Sequence, residues 1–295
     1  RTTGDALIDT LRTAKAISYS HEQGWHIPAW SALMYARSLQ DFPELRERAP
    51  RVTHFKGTSR TEVEREWEFT EGYASSFTHI VTLFNTIRPG GEHIDSSGKR
   101  VVTPLLPTVA FREVLANALM HQDLEQRGRF LTVEIFSDRV EVTNPGTPLI
   151  DPQRFIDSAS TTRNTHLGEA LRLAHLVEQR GSGWDKIVSS LEADHFPPAL
   201  VRANGSTTVS LSAYRPFALM TMEEKTQAVY QHSCLRFLEN LPVNNSSIRQ
   251  RFGLKDSQAA QATRLLAATV EEGLIHPYDP SAGPRSLRYV PFWSN

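Results

Sequence analysis

Three polar residues recur at helical spacing within residues 108–121. Glu113, Asn117 and His121 are each four positions apart, so they share one face of a helix. A carboxylate and an amide on one face can position a water molecule and a divalent cation. Their oxygens suit Mg²⁺, which normally binds together with phosphate. The alternative is a polar helix face turned to solvent, which the same spacing would also produce.

Two motifs with glycine extend this chemistry. Gly181, Ser182 and Gly183 precede a helical pattern, where glycine lets a ligand approach the backbone and unpaired N–H groups attract phosphate. Asn144-Pro-Gly146 ends a predicted strand and by itself indicates a turn. A flexible helix start is the more common explanation of such glycines, so the order of the motifs along the chain is the more specific signal.

Regular elements must bring these motifs together. Hydrophobic periodicity predicts helices over 108–121 and 167–177, and a further helix that begins at the glycines. Alternating residues predict a hairpin over 131–143, and Asn204-Gly205 is the strongest hairpin turn in the chain. Towards the N-terminus, the predictions are a helix over 1–25, a strand over 51–55, a charged solvated segment over 61–68 and a helix over 77–87.

The ordered motifs resemble a known family. They are Phe111-Arg-Glu-Val-Leu-Ala-Asn-Ala-Leu-Met-His-Gln-Asp123, Asp138-Arg-Val-Glu-Val-Thr-Asn-Pro-Gly146, Arg163-Asn164 and Arg180-Gly-Ser-Gly-Trp-Asp-Lys-Ile187. These segments are similar to the divergent ATP-binding domain, often labelled helicase RecG-like, of Schlafen-like bacterial predicted transcriptional regulators. That domain is similar to the GHKL superfamily of gyrase, Hsp90, MutL and histidine kinases. The resemblance implies an α/β (α+β) fold, in which a Bergerat-like α/β sandwich precedes a small winged helix.

The resemblance also implies ATP and Mg²⁺ as ligands. Glu113 matches the general base that activates water in the ATP-hydrolysing members, so the resemblance is compatible with slow hydrolysis of ATP. Asn117 matches the Mg²⁺-binding asparagine. Gly181, Ser182 and Gly183 match the second glycine box, which cradles phosphates.

The first glycine box departs from the superfamily pattern. Asn144 and Gly146 fall where the superfamily has Asp-x-Gly, and that Asp normally accepts a hydrogen bond from the adenine amino group. The Asn144 oxygen can still accept, but without charge. The second glycine of the box falls at Pro148, which has no N–H. Arg163 lies in the segment that matches the lid, where an arginine could reach phosphate.

The pattern of residues 218–295 predicts a compact C-terminal module. Three helices, around 223–239, 246–252 and 257–272, precede two short strands, which is the winged variant of helix-turn-helix. The predicted DNA-contacting residues are Gln258, Gln261 and Arg264 on the third helix for base edges, and Arg249 and Arg251 for phosphates.

The charge of this module does not decide its partner. It carries eight Lys and Arg against seven Asp and Glu, whereas a strong DNA binder is usually more basic. Winged helices also dock proteins and dimerise. Contact with double-stranded DNA, docking of a protein and formation of a homodimer therefore all stay open.

Composition limits the function classes. The 295 residues are 39% hydrophobic and 22% charged, which is typical of a globular protein, and no apolar run is long enough to span a membrane. The single cysteine, Cys234, excludes a multi-cysteine metal site and favours a reducing, cytoplasmic location. A net charge of −1 excludes a general attraction to nucleic acid. Ser97-Gly-Lys99 lacks the first glycine of a P-loop.

Three domains are predicted. Residues 1–100 form an N-terminal α/β segment, 101–217 a GHKL-like ATP-binding domain and 218–295 the winged helix. The chain begins without methionine, so we expect a longer protein, and by resemblance full-length members carry an AlbA-type N-terminal domain. The predicted function is an ATP- and Mg²⁺-binding transcriptional regulator. The alternatives are a DNA-binding transcription factor with a degenerate nucleotide site and a protein-interaction scaffold.

Overall fold

The computed structural model describes residues 4–94, 99–159, 161–177, 183–283 and 286–294. The α-helices of these residues are α1 (Gly4–Thr13), α2 (Ala29–Tyr35), α3 (Tyr73–Ile87), α4 (Thr108–His121), α5 (Thr165–Leu173), α6 (Gly183–Ala193), α7 (Met222–Leu238), α8 (Asn245–Arg251) and α9 (Ala259–Glu271). The strands are β1 (Ser18–Ser20), β2 (Gly24–His26), β3 (Arg51–Phe55), β4 (Val63–Glu68), β5 (Gly91–Ile94), β6 (Arg100–Thr103), β7 (Thr132–Ile135), β8 (Arg139–Pro145), β9 (Leu200–Ala203), β10 (Ser206–Ser212), β11 (Ile275–Pro277) and β12 (Tyr289–Pro291). Within the described ranges, no helix is long and apolar enough to cross a bilayer.

A six-stranded sheet forms the centre of the fold. Its strand order is β4-β3-β7-β8-β10-β9. β3 pairs with β7 in parallel, and the other neighbours pair antiparallel, so the sheet is mixed. The expected mixed α/β, or α+β, fold is confirmed.

The two faces of this sheet differ because side chains alternate along each strand. One face carries buried residues such as Val133, Val142 and Leu211. α4 packs on this face against β8 and β10, and α3, α5 and α6 pack against α4. The stacked rings of Phe84 and Phe111, 3.8 Å apart between centroids, join α3 to α4. α4 is therefore the central helix of the layer.

The opposite face of the sheet is polar. Arg60 binds Glu134 at 2.6 Å and Glu141 at 2.7 Å, and Arg139 binds Glu141 at 2.6 Å. The Arg139 guanidinium also lies 3.8 Å from the centre of the Phe136 ring. Since the ion pairs lie on this face, the apolar side of the sheet is the face on which the helices pack.

Most predicted elements of the middle region are confirmed. α4 has both predicted ends, and the hairpins β7–β8 and β9–β10 form where predicted. Gly205 has φ +67°, the left-handed backbone that Asn-Gly turns require. The sequence rules for turns and amphipathic helices thus hold where each element is locally encoded.

The N-terminal prediction is wrong in its second half. α1 ends at Thr13, and residues 18–26 form the antiparallel pair β1–β2, in which Ser18 lies opposite His26. Lys15 adopts a left-handed φ of 56°, which ends the helical path. Residues 63–68, expected only as a solvated segment, form the edge strand β4, whose charged side chains stay largely exposed.

The C-terminal region has the three predicted helices and the predicted strand pair. α7 begins at a capping box between Thr221 and Glu224, and β11 pairs antiparallel with β12. α7 packs against α6, and the buried apolar residues form one continuous cluster from Leu33 to Ile275. The division into three domains stays a prediction.

Candidate functional site

A cavity of about 230 Å³, here called the main cavity, lies beside α4. Glu113, Asn117 and His121 of α4 all line it. Each is partly buried, while the residues between them are mostly in the core. The polar row predicted from spacing therefore faces a cavity rather than open solvent.

The first turn of α6 meets this row at Gly183. A Cβ atom added to Gly183 would lie 3.1 Å from Glu113 Oε2 and 3.7 Å from Asn117 Nδ2. Glycine therefore leaves the space in which the two side chains approach the start of α6. The first N–H groups of a helix have no intrahelical acceptor, so this end of α6 offers donors to the cavity. Gly181 and Ser182 lie outside the described residues.

Asn144 of β8 lies at another wall of the cavity and is 5% exposed. Its side-chain nitrogen donates to the Pro145 carbonyl oxygen at 3.1 Å, which makes Oδ1 the acceptor that this amide offers. The hydroxyl of Thr207, the cross-strand neighbour of Asn144, donates to the Gly146 carbonyl oxygen at 2.7 Å. Asn144 is thus held by the strand pair β8–β10.

Gly146 follows with φ +94°, and a Cβ there would lie 2.7 Å from Asp123 Cβ. The turn requires glycine because of its positive φ and because a side chain would collide with Asp123. Arg163 lies against the same turn and donates to the carbonyl oxygens of Thr147 at 2.8 Å and His121 at 3.4 Å. Arg163 therefore lines the cavity and also ties residue 147 to the end of α4.

The surroundings of His121 disfavour its charged form. Burial lowers the pKa of its imidazole, and the neighbouring Arg163 guanidinium lowers that pKa further. Both effects disfavour the charged imidazolium. His121 therefore contributes hydrogen-bonding groups to the cavity, and its surroundings oppose a positive charge on the ring.

Three prominent cavity residues were not among the predicted site residues. Arg172 of α5 and Trp184 and Lys186 of α6 line the main cavity. Lys186 comes three positions after Gly183, so helical spacing could have placed it on the wall that Gly183 forms. No local pattern marks Arg172 or Trp184. The apolar side chains among the described lining residues are Val114, Ala118, Met120, Pro148, Leu149, Ile150, Phe155, Val177, Trp184 and Val209.

The described residues contain no group of three or more His, Cys, Asp or Glu that could hold a metal ion. Mg²⁺ commonly uses one or two protein oxygens and completes its shell with phosphate and water. In the main cavity, Asn117 and Glu113 each have a side-chain oxygen that could act as a ligand of that kind.

Residues 128–211 match a family model. Its description is "Putative ATP-dependent DNA helicase recG C-terminal". This ATPase-like region includes Asn144, Gly146, Arg163 and Gly183, and it begins after α4. The match indicates nucleotide binding, and the other wall of the same cavity is supplied by α4.

One similar solved structure is the crystal structure of the DIP2311 protein from Corynebacterium diphtheriae. It is 19% identical, with a TM-score of 0.57, over 96% of this chain. The chain spans 57% of that protein's chain. This likeness shows the fold. Among curated proteins, none matches the sequence.

The predicted DNA-contacting residues are not equivalent in the structure. Gln261 and Arg264 are exposed on α9, whereas Leu265 and Leu266 of the same helix are buried. Gln258 is partly buried before α9, where its Oε1 accepts a hydrogen bond from the backbone N–H of Lys255. The exposed face of α9 thus presents one amide and one guanidinium.

The two arginines of α8 are already paired. Arg249 donates to Asn245 Oδ1 at 3.0 Å and binds Asp256. Arg251 is 3% exposed, binds Glu192 at 3.2 Å and donates to the Phe196 carbonyl oxygen at 2.8 Å. The prediction that Arg251 contacts DNA phosphates does not fit this position, because its buried guanidinium anchors α8 to α6 and cannot reach a phosphate from there.

Proposed function

We propose that the main cavity binds ATP with Mg²⁺ and that the chain is a nucleotide-dependent regulator. One observation carries this proposal. Glu113, Asn117 and the first turn of α6 converge on a single wall, within 3.8 Å of the position that a Cβ of Gly183 would take. A carboxylate, an amide and helix N–H donors together suit a phosphate group and its cation.

Each residue has a distinct task in this proposal. The N–H groups at the start of α6 bind phosphate oxygens, and the Asn144 Oδ1 accepts a hydrogen bond from the adenine amino group. Asn117 holds Mg²⁺ through its side-chain oxygen. The metal, when bound, neutralises phosphate charge.

Hydrolysis, where it occurs, uses Glu113 as the base. A water oxygen attacks the terminal phosphorus, the bond from that phosphorus to the oxygen of the ADP leaving group breaks, and Glu113 takes the proton of the water. The placement of Glu113 beside the start of α6 supports this role.

Replacing Gly183 tests the cavity directly. In Gly183→Ala the new methyl group would lie 3.1 Å from Glu113 Oε2, so the carboxylate must shift by a few tenths of an ångström and the methyl group takes up space at the helix start. We expect affinity for Mg-ATP, measured by calorimetric titration, to fall at least about tenfold, which corresponds to ~1.4 kcal/mol. The matched control is Gly57→Ala, because a Cβ at Gly57 meets no atom within 4 Å. Wild-type affinity in Gly183→Ala would contradict the site.

Helix α6 would link the nucleotide to the C-terminal region. Its first residue forms the cavity wall, and Trp184 lines both the main cavity and a second cavity of about 130 Å³ beside α7. Near its end, Glu192 binds the Nδ1 atom of His232 at 3.0 Å and also binds Arg251. A displacement of α6 on nucleotide binding would therefore reach α7 and α8.

We propose that α7–α9 with β11–β12 are a winged helix that contacts double-stranded DNA through α9. The exposed Gln261 and Arg264 support this assignment. In a titration of the full chain with DNA duplexes at low salt, Arg264→Ala should weaken binding at preferred sequences by about 1–3 kcal/mol. Arg249→Ala should weaken binding to all sequences alike. Arg202→Ala, an exposed arginine on β9, is the control. Absence of binding by the wild type would favour protein docking instead.

A further inference from the structure

We propose that Arg172, rather than Arg163, recognises the terminal phosphate and makes the main cavity prefer a nucleoside triphosphate to a diphosphate. This inference rests on the proposed function, because it assigns the phosphate-recognising residue of the same cavity. Arg172 lies in the last turn of α5 and lines the cavity.

The position of Arg172 is set by α4 and α5. A Cβ on Gly168 would lie 3.1 Å from Met120 Sδ and 3.8 Å from an Arg172 guanidinium nitrogen. Glycine at this position lets α5 approach the end of α4 closely. The Arg172 side chain is partly buried at this junction, and it forms part of the cavity wall together with Met120.

The two arginines of the cavity differ in their partners. Arg163 already donates to two carbonyl oxygens, those of Thr147 and His121. In the described part of the chain, no hydrogen bond or ion pair holds the Arg172 guanidinium. A partly buried guanidinium without an acceptor is unfavourable, and a phosphate would supply two oxygens to its planar fork. Arg172 is therefore the arginine that is prepared for an anion.

The charge of the cavity agrees with this assignment. Among the described residues, its lining has the cationic side chains of Arg163, Arg172 and Lys186 and the carboxylate of Glu113. Burial and the neighbouring Arg163 lower the pKa of His121, which disfavours a positive charge on that ring. The described charged side chains of the lining still carry an excess of positive charge. A site of this charge stabilises a polyanion. The Arg172 guanidinium, which has no acceptor among the described residues, has the most to gain from a phosphate.

The experiment compares charge dependence among variants of the full chain. ATP, ADP and AMP, each with Mg²⁺, are titrated into wild type, Arg172→Ala, Arg172→Lys and the control Arg202→Ala. We expect Arg172→Ala to lose at least about tenfold in ATP affinity, with a smaller loss for ADP and none for AMP. The ratio of ATP to ADP affinity should fall towards one. Arg172→Lys, which keeps the charge but not the fork, should be intermediate.

Two results would overturn the inference in different ways. If wild type binds the nucleotides and both Arg172 variants keep the wild-type ratio of ATP to ADP affinity, the role of Arg172 is wrong and the proposed function stands. If wild type binds none of the three nucleotides, the proposed function fails and this inference fails with it. Circular dichroism of each variant, and the retained AMP affinity, separate loss of folding from loss of phosphate recognition.

Discussion

Glu113→Gln should leave Mg-ATP bound while it lowers the rate of ATP hydrolysis by about 10²–10⁴-fold. The amide has the shape of the carboxylate but cannot take a proton from water. The carboxylate oxygen lies at the start of α6, so the substitution keeps the packing around Gly183. Phosphate release over time measures the rate, and calorimetric titration measures the affinity. A variant that hydrolyses ATP at the wild-type rate would remove Glu113 from the role of base.

Asn117→Ala tests the binding of Mg²⁺ separately from proton transfer by Glu113. Loss of the side-chain oxygen should weaken ATP binding in the presence of Mg²⁺ and have little effect when Mg²⁺ is chelated. A polar pair with no ligand role predicts instead that both variants bind ATP like the wild type, with stability changes below ~0.5 kcal/mol. Titration with and without Mg²⁺ for both variants distinguishes these cases.

Arg251→Ala should lower the free energy of unfolding by about 3–5 kcal/mol. Arg251 is buried between α8 and α6. There it forms an ion pair with Glu192 and donates a hydrogen bond to the Phe196 carbonyl oxygen. Burial lowers the pKa of this guanidinium and Glu192 raises it, so the pair holds the charge in the interior. Removing Arg251 takes the cationic partner from the partly buried Glu192 carboxylate, which keeps its contact with His232 Nδ1, and leaves the Phe196 carbonyl oxygen without this donor.

Urea denaturation followed by circular dichroism measures this loss. The matched control is Arg249→Ala, two residues away on the same helix, whose partner Asp256 is exposed. A more exposed pair of this kind contributes ~1 kcal/mol or less. If the two substitutions lowered the free energy of unfolding equally, the buried Arg251–Glu192 pair would contribute no more to stability than the exposed pair.

Local signals account for the parts of the fold that the sequence predicts. α4 and the hairpin at Asn204-Gly205 are encoded by amphipathic spacing and by a turn that few residues can form. The segment 14–26 lacks such a signal, because the left-handed residue that ends α1 is Lys15 rather than glycine. β4 was missed because its charged side chains remain exposed, and only pairing with β3 makes it a strand.

The candidate site divides in the same way. The spacing of Glu113 and Asn117 places them on one face, and the glycine motif places Gly183 at a helix start. Arg172 joins them only through the packing of α5 on α4, which no local pattern encodes. Arg251 resembled a surface arginine because its partner, Glu192, lies in another helix and distant in sequence. Long-range pairing therefore decides which arginines are available to a ligand.

The central claim is that the main cavity binds a nucleotide, and thermal unfolding with and without Mg-ATP tests it most directly. A ligand that binds only the folded state at ~100 times its Kd adds about 2.7 kcal/mol, which for a chain of this size raises Tm by about 5 °C. We predict this rise for wild type and for Gly57→Ala, and a clearly smaller rise for Gly183→Ala. An unchanged Tm of the wild type at millimolar Mg-ATP would contradict the claim.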